Sequence, residues 1–268
     1  MKWKRMAVFA LGVLTAASVL ASGCGGQEGQ KEIQLGATSG PHAEVAEAVA
    51  KEAANQGLKV KVIEFSDYVT PDQALADGDI DLNSYQHEPF LENFNAKSGA
   101  HLTSIGTTIL MRMGIYSDKV HDVQDVPDGA KVAIPNDPTN GGRSLLLLEK
   151  AGLLKLREGS GTNPTVHDIT ENKKNLKFQE VEAAQVPRTL DDVDAAVINT
   201  NYAMQANLVP TKDALFMEDS TSPYVNIVAV RAGDENRPEI QALIAALHSQ
   251  EIKDFINEKY KGAVVPAF

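Results

Sequence analysis

Val132-Ala133-Ile134-Pro135-Asn136-Asp137-Pro138-Thr139-Asn140-Gly141-Gly142-Arg143-Ser144 carries a short apolar run into a segment of Pro, Asn, Asp, Thr and Gly, and Leu145-Leu146-Leu147-Leu148 follows. The apolar run reads as a buried strand, the middle as a loop, and the leucines as a helix beginning at Ser144. Strand, loop, helix is the repeating unit of an α/β sheet, and such sheets collect ligands at the carboxyl ends of their strands. On this reading Arg143 stands at a helix start. Unpaired N–H groups and the helix dipole there attract anions, and a guanidinium suits a carboxylate or phosphate. The two glycines beside it read as cleared space. Taken alone, an arginine in this position also fits an ordinary solvated surface, so the rest of the chain has to decide.

Working outward, the same pattern recurs. Ile33 to Ala37 alternates as a strand, and Val45, Ala46, Val49, Ala50 and Ala53 share a helical face up to Gly57. Leu58 to Phe65 is a second strand, with Tyr68 at its end, and Ile80 to Asn83 is a third, followed by Ser84 to Phe90. His101 to Tyr116 is long enough for two strands. The pattern restarts with Lys131 to Ile134 and continues through Phe178 to Val181, Ala195 to Ile198 with Asn199 at its end, and Tyr224 to Val230. Two amphipathic helices close the chain, around Ile240–Leu247 and Ile252–Ile256. The fold class is therefore α/β, in two lobes with a cleft that would collect the strand ends.

The first residues are set apart from this body. Lys2, Lys4 and Arg5 precede an uncharged apolar run from Met6 to Ala21, then small residues and Cys24, the one cysteine of the 268-residue chain. This is an export signal rather than a membrane span. Leu20-Ala21-Ser22-Gly23-Cys24 is similar to a bacterial lipoprotein signal, although Ala21 stands where leucine is usual. Residues 1–23 are expected to be cleaved, Cys24 to be acylated, and 24–31 to act as a flexible tether to the cell membrane. Loss of Lys2, Lys4 and Arg5 lowers the formal charge from −11 to −14, which argues against a nucleic-acid partner.

Motifs for chemistry are lacking. The histidines (His42, His87, His101, His121, His167, His248) form no i, i+4 pair, so no metal site is expected. There is no Gly-x-Ser-x-Gly, no phosphate-binding loop and no dinucleotide fingerprint, hence no cofactor. A binding protein is favoured over an enzyme. Tyr68, Tyr85 and Phe90, with His87, form an aromatic group at strand ends that suits a polarizable thioether. Arg143 with Asn199 and Asn226 suits an α-amino acid head group: the arginine for the carboxylate, both amide oxygens for the ammonium.

Several blocks together are distinctive: Asp81-Leu82-Asn83-Ser84-Tyr85-Gln86-His87-Glu88-Pro89-Phe90, Gly114-Ile115-Tyr116-Ser117, the opening stretch from Val132 to Arg143, Glu182 to Arg188, Asp194 to Asn199, Ser222 to Val228, and Lys259 to Phe268. In this order they resemble the methionine-binding lipoprotein family (MetQ/NlpA) over essentially the whole mature chain. The resemblance implies a periplasmic-binding-protein type II fold, two lobes joined by a two-strand hinge with a ligand cleft between them, 32–114 plus 227–268 as lobe I and 115–226 as lobe II. It implies a monomeric substrate-binding component of an ABC importer, delivering methionine, in the L form first, to a permease and its ATPase. By position Tyr68, Tyr85, His87 and Phe90 match the family's side-chain pocket and Arg143, Asn199 and Asn226 its head-group contacts; Gln185 and Arg188 fall near the second lobe's wall. Ser84 and the segment Thr107–Met113 depart from the usual family residues. Another amino acid or a methionine-containing dipeptide is the alternative ligand, and a lipid-anchored adhesin or scaffold the alternative class.

Overall fold

The computed structural model describes residues 32–268, so the expected signal, Cys24 and the tether lie outside the described residues. In chain order the elements are β1 (Ile33–Thr38), α1 (Pro41–Asn55), β2 (Val60–Phe65), α2 (Thr70–Asp77), β3 (Leu82–His87), α3 (Glu88–Ser98), β4 (Leu102–Met111), β5 (Gly114–Tyr116), β6 (Lys131–Pro135), α4 (Pro138–Lys150), β7 (Lys155–Leu156), β8 (Ile169–Glu171), β9 (Lys177–Val181), β10 (Ala195–Ile198), α5 (Thr200–Gln205), α6 (Pro210–Asp213), β11 (Phe216–Met217), β12 (Val225–Arg231), α7 (Pro238–Leu247), α8 (Gln250–Tyr260) and β13 (Val264–Pro266). A 3₁₀ segment, Ala183–Thr189, stands between β9 and β10.

The strands form two principal sheets. One has the order β13-β4-β12-β3-β1-β2, the other β11-β5-β10-β6-β9. β1 pairs in parallel with β2 and β3, and β12 runs antiparallel between β3 and β4. In the second sheet β6 lies parallel to β9 and β10, while β5 is antiparallel to β10. Each sheet is covered on both faces, which explains the near-continuous apolar runs of its central strands. Ile33 and Leu35 pack with α1, α7 and α8, while Leu75 of α2 and Leu91 of α3 join Ile227 and Ala229 on the other face. Val132 and Ile134 pack with Leu145, Leu147 and Leu148 of α4, whereas Ala133 faces the opposite way, into the cluster that holds Tyr68, Tyr85 and Phe90.

The chain passes between the sheets at Arg112–Met113 and again at 218–224. Gly114, placed in lobe I on sequence, opens β5 of the second sheet, and Asn226, placed in lobe II, lies in β12 of the first.

The opening stretch differs from its sequence reading in two respects. α4 starts at Pro138, not Ser144, because Asp137 caps it by accepting from the Asn140 backbone N–H and proline suits the first helical position. Asn140, Gly141, Gly142 and Arg143 are therefore helical, and the helix N-terminus is occupied by Asp137's own carboxylate. The glycines are packing residues rather than room for a ligand. A Cβ on Gly141 would stand 2.9 Å from the Pro135 carbonyl oxygen, and one on Gly142 would stand 2.7 Å from Asn163 Cα. Backbone does not yield as a flexible side chain does. Gly142→Ala is expected to destabilise by ~1–3 kcal/mol from overpacking, against a helix-propensity gain of at most ~1 kcal/mol; chemical denaturation of the two proteins measures the difference.

Candidate ligand-binding site

All seven expected contact residues (Tyr68, Tyr85, His87, Phe90, Arg143, Asn199, Asn226) line one cavity of about 350 Å³. It lies at strand carboxyl ends, as an α/β sheet dictates: His87 ends β3, and Asn199 directly follows β10. Six further residues complete the lining: His42, Gln86, Met111, Asn140, Thr200 and Asn201. Gln86 and Asn140 stood inside the quoted blocks, and Asn201 lies two positions beyond Asn199. His42, in the first turn of α1, carried no signal among six unpatterned histidines.

One wall is aromatic. Tyr85 and Phe90 meet edge to face at 6.2 Å, and Tyr68 stacks obliquely on Tyr202 of α5 at 4.8 Å. Tyr85 Oη donates to the Tyr68 carbonyl at 2.6 Å, fixing one ring on the other's backbone. The cleft is shut in this structure. Tyr68 Oη donates to Asn201 Oδ1 at 2.5 Å, and Gln205 Nε2 donates to the Ser39 carbonyl at 2.8 Å, each bond joining elements of the two sheets.

The head-group side is set by a chain of hydrogen bonds with a fixed sense. Asp137 has only oxygens, so Asn140 must turn its amide N–H₂ toward it, at 3.0 and 3.1 Å. Asn140 Oδ1 then accepts from Asn199 Nδ2 at 2.9 Å. Asn199 Oδ1 is left buried without a protein partner. His87 obeys the same logic: its Nδ1 accepts from the Phe90 N–H at 3.3 Å, so its proton sits on Nε2, 3.4 Å from Asn140 Oδ1. Burial, with Arg143 nearby, pushes the His87 pKa down to about 3, so the ring is neutral. Asn199 thus presents an acceptor to the cavity, fit for an ammonium.

Arg143 is buried in the second turn of α4. Its fork is taken by Glu218, with Nε at 2.7 Å and Nη2 at 2.5 Å from the two carboxylate oxygens, and Nη2 also donates to the Met111 carbonyl at 2.9 Å. Three of the five guanidinium N–H bonds are spent, leaving the two of Nη1. The ring of Tyr224 lies 4.5 Å below the guanidinium carbon. Glu218 also accepts from the Met113 N–H at 3.0 Å and Ser222 Oγ at 3.3 Å, so it clamps both crossings between the sheets to α4. Nothing in the sequence pointed to Glu218. With Nε and Nη2 engaged by Glu218 and the Met111 carbonyl, Arg143 offers a ligand carboxylate a single edge, Nη1.

Two departures resolve differently. Ser84 lines a separate cavity with Leu35, Val45, Val49 and Leu243, away from the ligand wall. Met111, from the divergent segment, enters the ligand cavity itself. Gln185 and Arg188 line a larger recess with Ser66, Asp67 and Tyr202 instead of the cavity. Among the described residues no cluster of His, Cys, Asp and Glu is placed to hold a metal, and no helix is long and apolar enough to cross a membrane.

Comparison with known proteins agrees with this architecture. The D-methionine-binding lipoprotein MetQ of Salmonella typhimurium is 44% identical, over 99% of both chains. The homologue of that name from Escherichia coli is 42% identical, again over 99% of both. A nutrient-binding protein of Burkholderia cenocepacia bound to methionine superposes with a TM-score of 0.86 at 51% identity, covering 88% of this chain and all of that one. A putative methionine-binding lipoprotein of Bacillus subtilis gives 0.86 at 40% identity, over 89% and 99% of the two chains. The model of the NlpA lipoprotein family matches residues 33–268. With its two sheets, shut cleft and continuous match from β1 to the last residue, the chain belongs to the NlpA lipoprotein family.

Proposed function

We propose that this protein is the substrate-binding lipoprotein of an ABC importer and that its ligand is methionine. One observation carries the reading: a single shut cavity joins an aromatic wall to a head-group end with the buried, unpartnered acceptor of Asn199 and the free Nη1 edge of Arg143. A thioether suits the rings of Tyr68, Tyr85 and Phe90, the ammonium suits Asn199, and the carboxylate suits Arg143. The relatives named for methionine, and the homologue bound to it, support the same ligand.

The mechanism is lobe closure about the two crossings. Ligand contacts come from β3 and β12 on one side and from α4 and the end of β10 on the other. They are complete only when the cleft shuts, so the ligand stabilises the closed state by its differential affinity. The closed form docks on a permease, and ATP hydrolysis by that permease's ATPase reopens it. Acylated Cys24 holds the body at the outer face of the cell membrane. The site binds and releases its ligand unchanged, without catalysis. A thermal-shift screen across the amino acids tests this: methionine is expected to raise the melting temperature most, and no shift with methionine, or a larger one with an unrelated amino acid, would overturn it.

A further inference from the structure

His42 lines the cavity yet has no part in the mechanism above. It is buried at the start of α1, with Nδ1 2.7 Å from Thr38 Oγ1 and Nε2 3.2 Å from Asn226 Oδ1. The sense of these two bonds follows from the threonine. Thr38 is fully buried at the end of β1, and its hydroxyl meets no other partner among the described residues. A buried O–H left without an acceptor is costly, and His42 Nδ1 is the acceptor at hand. Burial holds the imidazole neutral, its pKa pushed down to about 4, so a ring that accepts at Nδ1 carries its proton on Nε2. That proton is donated to Asn226 Oδ1. The opposite tautomer would donate to Thr38 and strand the threonine's own hydrogen.

We propose that His42 is a positioning residue: relayed from Thr38, it holds the Asn226 amide with its oxygen turned inward and its N–H₂ facing the cavity, as a donor to the ligand's carboxylate. Asn226 Nδ2 has no protein partner among the described residues, which leaves it free for that bond. This amends the sequence reading, in which both asparagines accept from an ammonium. The two amides are set in opposite senses by opposite relays. Asp137, through Asn140, makes Asn199 an acceptor; Thr38, through His42, makes Asn226 a donor. A zwitterion then has one favoured orientation, with its carboxylate at Arg143 and Asn226 and its ammonium at Asn199. The inference rests on the methionine reading for its ligand but not for its tautomer.

Long-range ¹H–¹⁵N NMR of the full chain labelled with ¹⁵N-histidine, with His42 assigned by its loss in His42→Gln, reads the tautomer directly. The expected result is a neutral ring protonated at Nε2; protonation at Nδ1 overturns the proposal whatever the ligand is. Calorimetry supplies the second arm. His42→Leu, which frees the amide to turn, is expected to weaken methionine binding about tenfold, and His42→Gln, whose amide N–H₂ can still donate to Asn226, to recover most of that loss. The loss in His42→Leu is expected to shrink for methioninamide, which lacks the carboxylate. Equal losses for both ligands, or unchanged affinity in His42→Leu, overturn the role of His42. Failure of the unaltered protein to bind methionine overturns the functional reading instead, while the NMR result still decides the tautomer.

Discussion

Arg143→Ala is expected to lose methionine binding by at least tenfold and, separately, to lose stability. The first effect follows from the free Nη1 edge: one charge-assisted hydrogen bond is worth ~1.5–3 kcal/mol. The second follows from Glu218. Both members of the pair are buried, and truncating the arginine leaves a carboxylate in the interior with only the Met113 N–H and Ser222 hydroxyl to satisfy it. Removing one partner of a buried pair costs ~3–5 kcal/mol, whereas replacing both by apolar groups is often neutral. The double variant Arg143→Met, Glu218→Leu should therefore regain much of the stability and none of the affinity. Urea denaturation and calorimetry on the two variants separate these roles. Unchanged affinity in Arg143→Ala would remove the arginine from the site, and unchanged stability would deny the pair its structural part.

Acid should weaken the fold before its surface carboxylates are exhausted. His42 and His87 are neutral because burial lowers their pKa values from 6.5 to about 4 and about 3. Between pH 6.5 and those values the unfolded chain binds protons that the folded chain refuses. Stability is thus complete above pH 6.5 and falls with pH, by up to ~1.4 kcal/mol per pH unit for each ring. Asp72 opposes them. Burial raises its carboxyl from 3.8 to about 6, against hydrogen bonds from Asn83 and Gln86. Its stabilising share is present below pH 3.8 and is lost as pH rises through 6. Two rings outweigh one carboxyl between pH 6 and 4, so urea midpoints are expected to drop from pH 7.5 to 4.5. Replacing both histidines by glutamine should flatten or reverse that trend; a flat profile in the unaltered protein would contradict the burial of both rings in neutral form.

Much of the architecture is legible in the sequence because apolar periodicity is a local signal. The strands at Ile33, Lys131 and Ala195 and the two closing helices stand where spacing puts them, whereas the third strand, read at Ile80 to Asn83, runs from Leu82 to His87, because its polar residues Asn83, Gln86 and His87 are buried and break the apolar pattern. The start of α4 was hidden by Asn140-Gly141-Gly142, a loop-like composition, although Asp137-Pro138 is itself a cap signal. The cavity's aromatic wall was readable from residues at strand ends. Glu218 was not, because it meets Arg143 across 75 positions and sits in a run that reads as surface. The sense of an amide is less legible still. Asn199 and Asn226 are identical letters, and only their partners, Asn140 in one case and His42 in the other, give them different chemistry.

The order of the strands also bears on how the chain acquires its structure. Every strand of the five-stranded sheet comes from the continuous stretch 114–217, so that sheet has all its parts as soon as this stretch is available. The six-stranded sheet does not. β12 inserts between β3 and β4, and β13 completes the edge beside β4 only at Val264–Pro266, two residues short of the end. A chain emerging N-terminus first therefore carries β1 to β4 as an unfinished sheet until β12 and β13 have followed. Pairings this distant in sequence close slowly and leave strand edges open in the meantime. The half of the molecule that begins first is the half that finishes last.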